Sequence, residues 1–309
     1  MTMTSRRGFT MIELMMGLVL TLLVGGITYR LLANNQRLSR GQNAHVSLQD
    51  NVRSGALIVA NELRELGYDD ISAAASAKLV YAPLVTNRTD IIDAKIDSVT
   101  YFAMRGLAFT CGVVNGTPAT IVVRQSSYNV MRTPALTDSL FLYVERANNT
   151  AGDDAWVHLG IASGPVNQNC DDGAPGWRFT VNFPLNLTTG GVIPNVTLGG
   201  PVRFAQVMRL KYYSSGGKSW LGMKSVTPDA ATEPVVGPLS DNANNQRGLS
   251  FEYFDKANAQ TATLNNIRSV RITLRGITDE RVRGSADASG SIDTLTLATT
   301  VALRNALRP

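Results

Sequence analysis

The sequence predicts an α+β protein: a long N-terminal α-helix, membrane span followed by amphipathic stalk, packed on an antiparallel β-rich head. Three patterns predict it. Residues 9–32 are apolar almost throughout. Beyond them Leu48, Val52, Ala56, Val59, Leu63 and Leu66 recur every three or four residues, the period of one helix face. From about Ser98 the chain changes to short β-rich runs separated by Gly, Pro, Asn and Asp. The chain therefore divides into a basic leader peptide (1–8), a transmembrane-type helix (9–32), an amphipathic stalk helix (33–68) and a β-rich head (69–309).

Composition narrows the function classes. Of 309 residues, 44% are hydrophobic and 17% charged, so the chain can bury a core and is not mostly disordered. The 29 Lys and Arg against 24 Asp and Glu leave +5, too small an excess to indicate nucleic-acid binding, and no basic cluster with interleaved aromatics stands out. Two cysteines and two separated histidines, His45 and His158, do not supply a metal centre, and no motif calls for a cofactor. Ser126, Ser127, Asp153, Asp154 and His158 carry catalytic residue types without a G-x-S-x-G elbow. His158 alternates with Trp156 and Gly160 as in a strand, so an enzyme is not expected. Residues 287–293 lack the closing Glu of a calcium loop and read as a turn.

As a helix, residues 9–32 rise roughly 36 Å, enough for a hydrocarbon core of about 30 Å. Arg6 and Arg7 precede them, which keeps the N-terminus cytoplasmic and sends everything after Leu32 across the membrane. Three processing signals compete. A secretory signal needs a small-x-small cleavage site, and no convincing one follows Leu32. Ser5-Arg6-Arg7-Gly8-Phe9 matches the S-R-R-x-F pattern of twin-arginine signals, against which stands the helical patterning that continues past the apolar run. The third is a leader cut between Gly8 and Phe9. Glu13 bears on this choice, because a carboxylate at the centre of an apolar span costs about 2.5–3.5 kcal/mol and needs a partner. Cleavage would give Phe9 a positive amine one turn from Glu13. The alternative is an interfacial Glu that reaches the headgroups.

The run Arg6-Arg7-Gly8-Phe9-Thr10-Met11-Ile12-Glu13-Leu14 closely resembles the type IV prepilin signature G-F-T-x-x-E-[LM]. The resemblance implies that prepilin peptidase cuts after Gly8 and N-methylates Phe9 while the apolar helix is retained. It also implies that Glu13 pairs with the terminal amine of a neighbouring subunit as a filament grows, and that the fold is pilin-like.

The stalk pattern allows one helix from about 9 to 66, with Gly25-Gly26 as its weak point and Gly67 as a C-cap. Arg53, Glu62, Arg64 and Glu65 are expected on the wetter faces. Gln49 to Leu57 and Asn61 to Tyr68 resemble the stalk end of PilW-type minor pilins, an N-x-R-x-A stretch followed by an L-R-x-A-G-Y-like motif. Here Gly55 interrupts the first stretch and Leu66 stands in place of Ala.

In the head, strands are expected at 99–104, 119–124, 139–145, 155–161, 177–183, 202–213, 219–223, 249–254, 267–274 and 292–303. Alternation in 267–274 and 295–301 predicts antiparallel strands with one wet face. Thr299 to Asn305 resembles the terminal strand of PilW-like pilins and of J-type pseudopilins. Residues 70–245 match no motif and are expected to elaborate the sheet with loops or a second β unit. Cys111 and Cys170 lie in the translocated part, where an oxidising periplasm permits a disulfide; two buried free thiols are the alternative. Trp156, Trp177 and Trp220 would be either an adhesive surface or sheet packing.

The resemblance implies a minor pilin that starts or caps a type IV pilus, moving from the bacterial inner membrane to the cell surface. Its partners would be other minor pilins, the major pilin, prepilin peptidase, the inner-membrane assembly platform and membrane lipid, with no metal or cofactor. Alternatives are a pseudopilin of a type II secretion system, and a tip adhesin or DNA-binding module on the same scaffold.

Overall fold

The computed structural model describes residues 10–64, 66, 90–114, 118–130, 133–144, 155–182, 198–227, 229–241, 247–282 and 290–303. The chain forms two units, residues 1–50 with 277–295 and residues 51–276 with 296–309. Helix α1 (Met11–Arg64) runs unbroken through Gly25-Gly26 and is about 81 Å long at ~1.5 Å per residue. The expected C-cap, Gly67, lies outside the described residues.

In the first unit the large apolar side chains from Met11 to Leu32 are exposed. The segment after Ile277 is clasped on itself: Thr278 N–H donates to Asp293 O (2.9 Å), and Val282 and Ser291 exchange backbone hydrogen bonds of 2.8 and 3.0 Å. It is tied to the helix by His45, whose Nε2 lies 2.9 Å from Asp293 Oδ2.

In the second unit the helix is buried along one stripe, Val52, Ala56, Val59, Ala60, Leu63 and Leu66, while Arg53, Leu57, Ile58 and Arg64 are exposed. Leu48 is buried as well, so all six apolar positions picked out by periodicity are inside. Glu62 corrects one expectation. It is half-buried at the sheet, accepting a hydrogen bond from Tyr101 Oη (3.1 Å) and lying 3.8 Å from Arg105 Nη1.

Among the described residues thirteen strands form the sheet: β1 (Ile91–Ala94), β2 (Ser98–Val114), β3 (Thr120–Arg124), β4 (Asn129–Val130), β5 (Ser139–Val144), β6 (Ala155–Asn169), β7 (Pro175–Asn182), β8 (Pro201–Ser215), β9 (Lys218–Ser225), β10 (Glu233–Leu239), β11 (Leu249–Phe254), β12 (Ser269–Ile277) and β13 (Thr294–Ala302). Their order is β1-β2-β3-β7-β6-β5-β8-β9-β10-β12-β11, with β13 on β12, β4 on β2, and a further pairing of β2 with β8. That last pairing closes β2, β3, β7, β6, β5 and β8 into a ring. Residues two apart on the ring strands fill it: Ile121 and Val123, Leu140 and Leu142, Leu159 and Ile161, Phe179 and Val181, Val202 and Phe204. Such alternation is what a small closed barrel requires of its inward face.

The expected second β unit is thus a barrel sharing two strands with an open sheet. Strands β2 and β8 are long because they serve both. They stay paired with each other from Ser98–Lys211 to Phe109–Pro201, while Thr110–Val114 of β2 also takes up β3 and Val202–Ala205 of β8 takes up β5. The helix lies on the open sheet, where Gly55 faces Val236 of β10. Strand β12 shows the expected alternation, with Val270, Ile272 and Leu274 buried. Three strands were not anticipated. β1 and β4 are too short to show a period, and β10 contains Pro234 and Pro238, which argue against a strand in sequence.

Candidate functional site

The apolar half of α1 begins at a capped end. Thr10 Oγ1 accepts from Glu13 N–H (3.3 Å), and Thr10 O accepts from Glu13 N–H and Leu14 N–H, each at 3.1 Å. Thr10-Met11-Ile12-Glu13 thus has the spacing of a capping box, a helix-start signal legible in the sequence. An acid in the first turn also sits favourably at the positive end of the helix dipole. Polar groups within the run are satisfied locally: Thr21 Oγ1 donates to Gly17 O (2.7 Å) and Thr28 Oγ1 to Val24 O (2.8 Å). Self-satisfied hydroxyls are what hydrocarbon demands. Residues 14–29 carry no charge, and Glu13 and Arg30 bracket them. The helix is long and apolar enough to cross a membrane. Gly8 and Phe9, with Arg6 and Arg7, lie outside the described residues.

Cys111 and Cys170 form a disulfide with a Cα–Cα distance of 5.1 Å. It joins β2 to the turn between β6 and β7. That turn is held by further bonds: Asp171 N–H donates to Cys111 O (3.0 Å), Cys170 N–H to Ala174 O (2.7 Å), and Ala174 N–H to Asp172 Oδ1 (3.1 Å). Arg124 pairs with Asp172 and holds its carboxyl below the usual range, aided by the Ala174 amide. Asp171-Asp172-Gly173 has the composition of a turn, and Gly173 takes the φ of 85° that favours glycine.

The remaining polar candidates are structural. The His158 ring packs at 4.8 Å from Phe141 and 5.4 Å from Phe102, and Ser127 Oγ donates to Arg124 O (3.0 Å). Asp153 and Asp154 lie outside the described residues. The three tryptophans do not gather. Trp156 packs by Tyr143, Trp177 by Tyr128, and Trp220 donates to Ser215 O. Among the described residues no cluster of three or more His, Cys, Asp and Glu could hold a metal. One buried ion pair has no local signal in the sequence: Arg203 lies 3.6 Å from Asp90 and also over the Phe141 ring.

The family model described as the prokaryotic N-terminal methylation motif matches residues 3–29. No curated protein and no solved structure matches the chain. The fold is that of a pilin-like α+β protein, a long N-terminal helix packed on a large antiparallel sheet. Its N-terminus carries the methylation motif found in type IV prepilins and pseudopilins. Motif and apolar helix together fit a protein that resides in the inner membrane and then enters a pilus.

Proposed function

We propose that this protein is a minor pilin of PilW type, built into a type IV pilus where it initiates assembly or forms part of the tip. Prepilin peptidase cuts between Gly8 and Phe9 on the cytoplasmic side and methylates the new amine of Phe9. The helix of residues 9–32 then holds the subunit in the membrane, with the head in the periplasm, until extraction into the filament core. There Glu13 meets the Phe9 amine of a neighbouring subunit, an attraction strong in hydrocarbon, where both charges otherwise lack solvation.

One observation carries this reading: the methylation motif on residues 3–29 leads into a single helix whose apolar residues are exposed up to Leu32 and, from Leu48 onward, buried along one stripe. An exposed apolar helix of that length needs lipid or other helices around it. The enlarged head favours a subunit present in few copies. Residues 33–68 serve as stalk and 69–309 as head.

Intact-mass and N-terminal analysis of protein from its native membrane or sheared filaments tests the proposal. A mature chain beginning at methylated Phe9 is expected. A start well beyond Leu32 would mean that the helix is discarded as an export signal, and the assembly role would fall. Recovery of the processed chain only with a secretion machine, never in pili, would assign it instead as a pseudopilin.

A further inference from the structure

We infer that the outward face of the β8–β9 hairpin binds single-stranded nucleic acid, its cations holding phosphates and its two aromatic rings receiving unpaired bases. The face lies wholly within the second unit. Gly216 and Gly217 join the two strands with φ of 61° and 74°, the positive values that a two-residue hairpin turn requires at both central positions. The register is therefore fixed: Arg209 stands opposite Lys224, Lys211 opposite Gly222, Tyr213 opposite Trp220 and Ser215 opposite Lys218. Directly opposite residues share a face. Leu221 points the other way with its partner Val236, the residue that Gly55 of the helix meets. The outward row spans about 20 Å at ~3.4 Å per residue and holds four cations and two rings. Neither strand contains an acid.

Like charges directly opposite one another destabilise a sheet, so Arg209 facing Lys224 is a cost to folding. Asp229, in the segment after β9, offsets part of it by pairing with Lys224. The hydrogen bond from Lys224, with the charges of Lys224, Lys211 and Arg209 behind it, holds the Asp229 carboxyl below the usual carboxylate range. An anion of the chain itself thus already sits in the field of three cations. Arg209 Nε donates to Thr100 Oγ1 (2.8 Å), which braces the guanidinium against β2. Among the described residues Lys211 makes no hydrogen bond or ion pair of its own. The next acid on this face, Asp93 of β1, is two strands from Arg209 and pairs with Lys95 at 3.1 Å.

The two rings lie down on the sheet. A Cβ at Gly222 would come within 2.4 Å of Tyr213 Cε1, and one at Gly237 of β10 within 2.5 Å of Trp220 Cε3, so each ring fills the space that a bare glycine leaves. Trp220 Nε1 donates to Ser215 O (3.3 Å), which sets the orientation of its indole. Both residues are half-buried, with strand beneath them. An unpaired base stacks on such a ring whatever its identity while neighbouring cations hold its backbone, whereas a duplex offers phosphates but keeps its bases inside. Charge and rings in one row therefore select a single strand. The sequence hides this cluster by interleaving it with inward residues such as Leu210 and Leu221, and only the pairing of β8 with β9 assembles it.

Fluorescence anisotropy of a labelled oligothymidylate of about 20 nucleotides, titrated with the full-length protein in non-ionic detergent, tests the site. Binding is expected at about 50 mM salt, and log affinity should fall against log salt with a slope of roughly −2 to −3, about −0.7 for each phosphate neutralised. Lys211→Gln with Lys218→Gln should flatten that slope by about 1 and weaken binding about tenfold without moving the melting midpoint. Trp220→Leu should weaken it about fivefold or more and remove the tryptophan quenching that stacking produces. Asp229→Asn, which removes the chain's own anion from the row, should tighten it about twofold or more. The proposal is overturned by no binding at that salt, by duplex DNA or heparin binding as tightly as the oligothymidylate, or by an unchanged affinity in the folded double lysine variant. Those readings decide the matter even where Trp220→Leu does not fold, and none of them depends on whether the chain enters a pilus.

Discussion

Helix propensity and packing predict opposite signs for Gly55→Ala. In an open helix interior the change stabilises by about 0.8–1.0 kcal/mol. Here the added Cβ would lie 1.9 Å from Val236 Cγ2, 2.9 Å from Val236 Cβ and 3.0 Å from Val236 Cγ1. Carbon atoms pack at about 3.5–4.0 Å, so the nearest contact is short by roughly 1.5 Å. Rotation of Val236 does not relieve it, because Cβ itself is too close and the residue is 5% exposed on β10. The helix must lift off the strand. Overpacking of this kind costs about 1–3 kcal/mol, which offsets the propensity gain and leaves a net loss of up to roughly 2 kcal/mol. For a unit of this size that lowers the melting midpoint by on the order of 5 °C. Urea and thermal unfolding of the full-length protein in detergent, followed by tryptophan fluorescence, measures it. Val236→Ala removes both Cγ atoms, so the double variant should retain at least about 1 kcal/mol more than the sum of the single losses. A Gly55→Ala protein that is more stable than the parent, or strictly additive single variants, would refute this docking of helix on sheet.

Leu63→Ala on the docked stripe should cost about 2–5 kcal/mol, and Leu57→Ala, 62% exposed on the same helix, no more than about 0.5, by the same unfolding assay. Replacing both Cys111 and Cys170 by Ser should remove on the order of 4 kcal/mol, since the bridge spans 59 positions, and should abolish the two-proton mass increase on reduction. Tyr253 donates to Lys95 O (2.9 Å), and burial, then Asp93 and Asp97, raise its phenol above the ordinary value of 10.0. Because the folded-state value is the higher one, its stabilisation is complete below about pH 10 and is lost as pH rises toward the folded value. Ultraviolet titration should show one tyrosine that ionises only with unfolding. Glu13→Ala should leave cleavage after Gly8 intact by N-terminal sequencing yet reduce the chain in sheared filaments; normal incorporation would remove Glu13 from the assembly step.

The sequence by itself determined what depends on neighbours a few residues apart. An uncharged apolar run fixed the membrane-type helix, a three-to-four spacing named the buried stripe from Leu48 to Leu66, and alternation in residues 267–274 named the inward face of β12. The prepilin-type signature around Gly8, Phe9 and Glu13 was legible for the same reason, being local and short. Tertiary structure decided what depends on long-range register. No local pattern in β2 and β8 states that they pair across about a hundred residues and close a barrel. Nor does one state that Glu62 turns to Tyr101, that Arg203 meets Asp90, or that Gly55 must be bare because Val236 arrives there. Strand β10 was hidden by its own prolines, which a pairing with register shifts accommodates. A strand's sequence records its tendency to pair, while only the assembled sheet shows which strands it lies between.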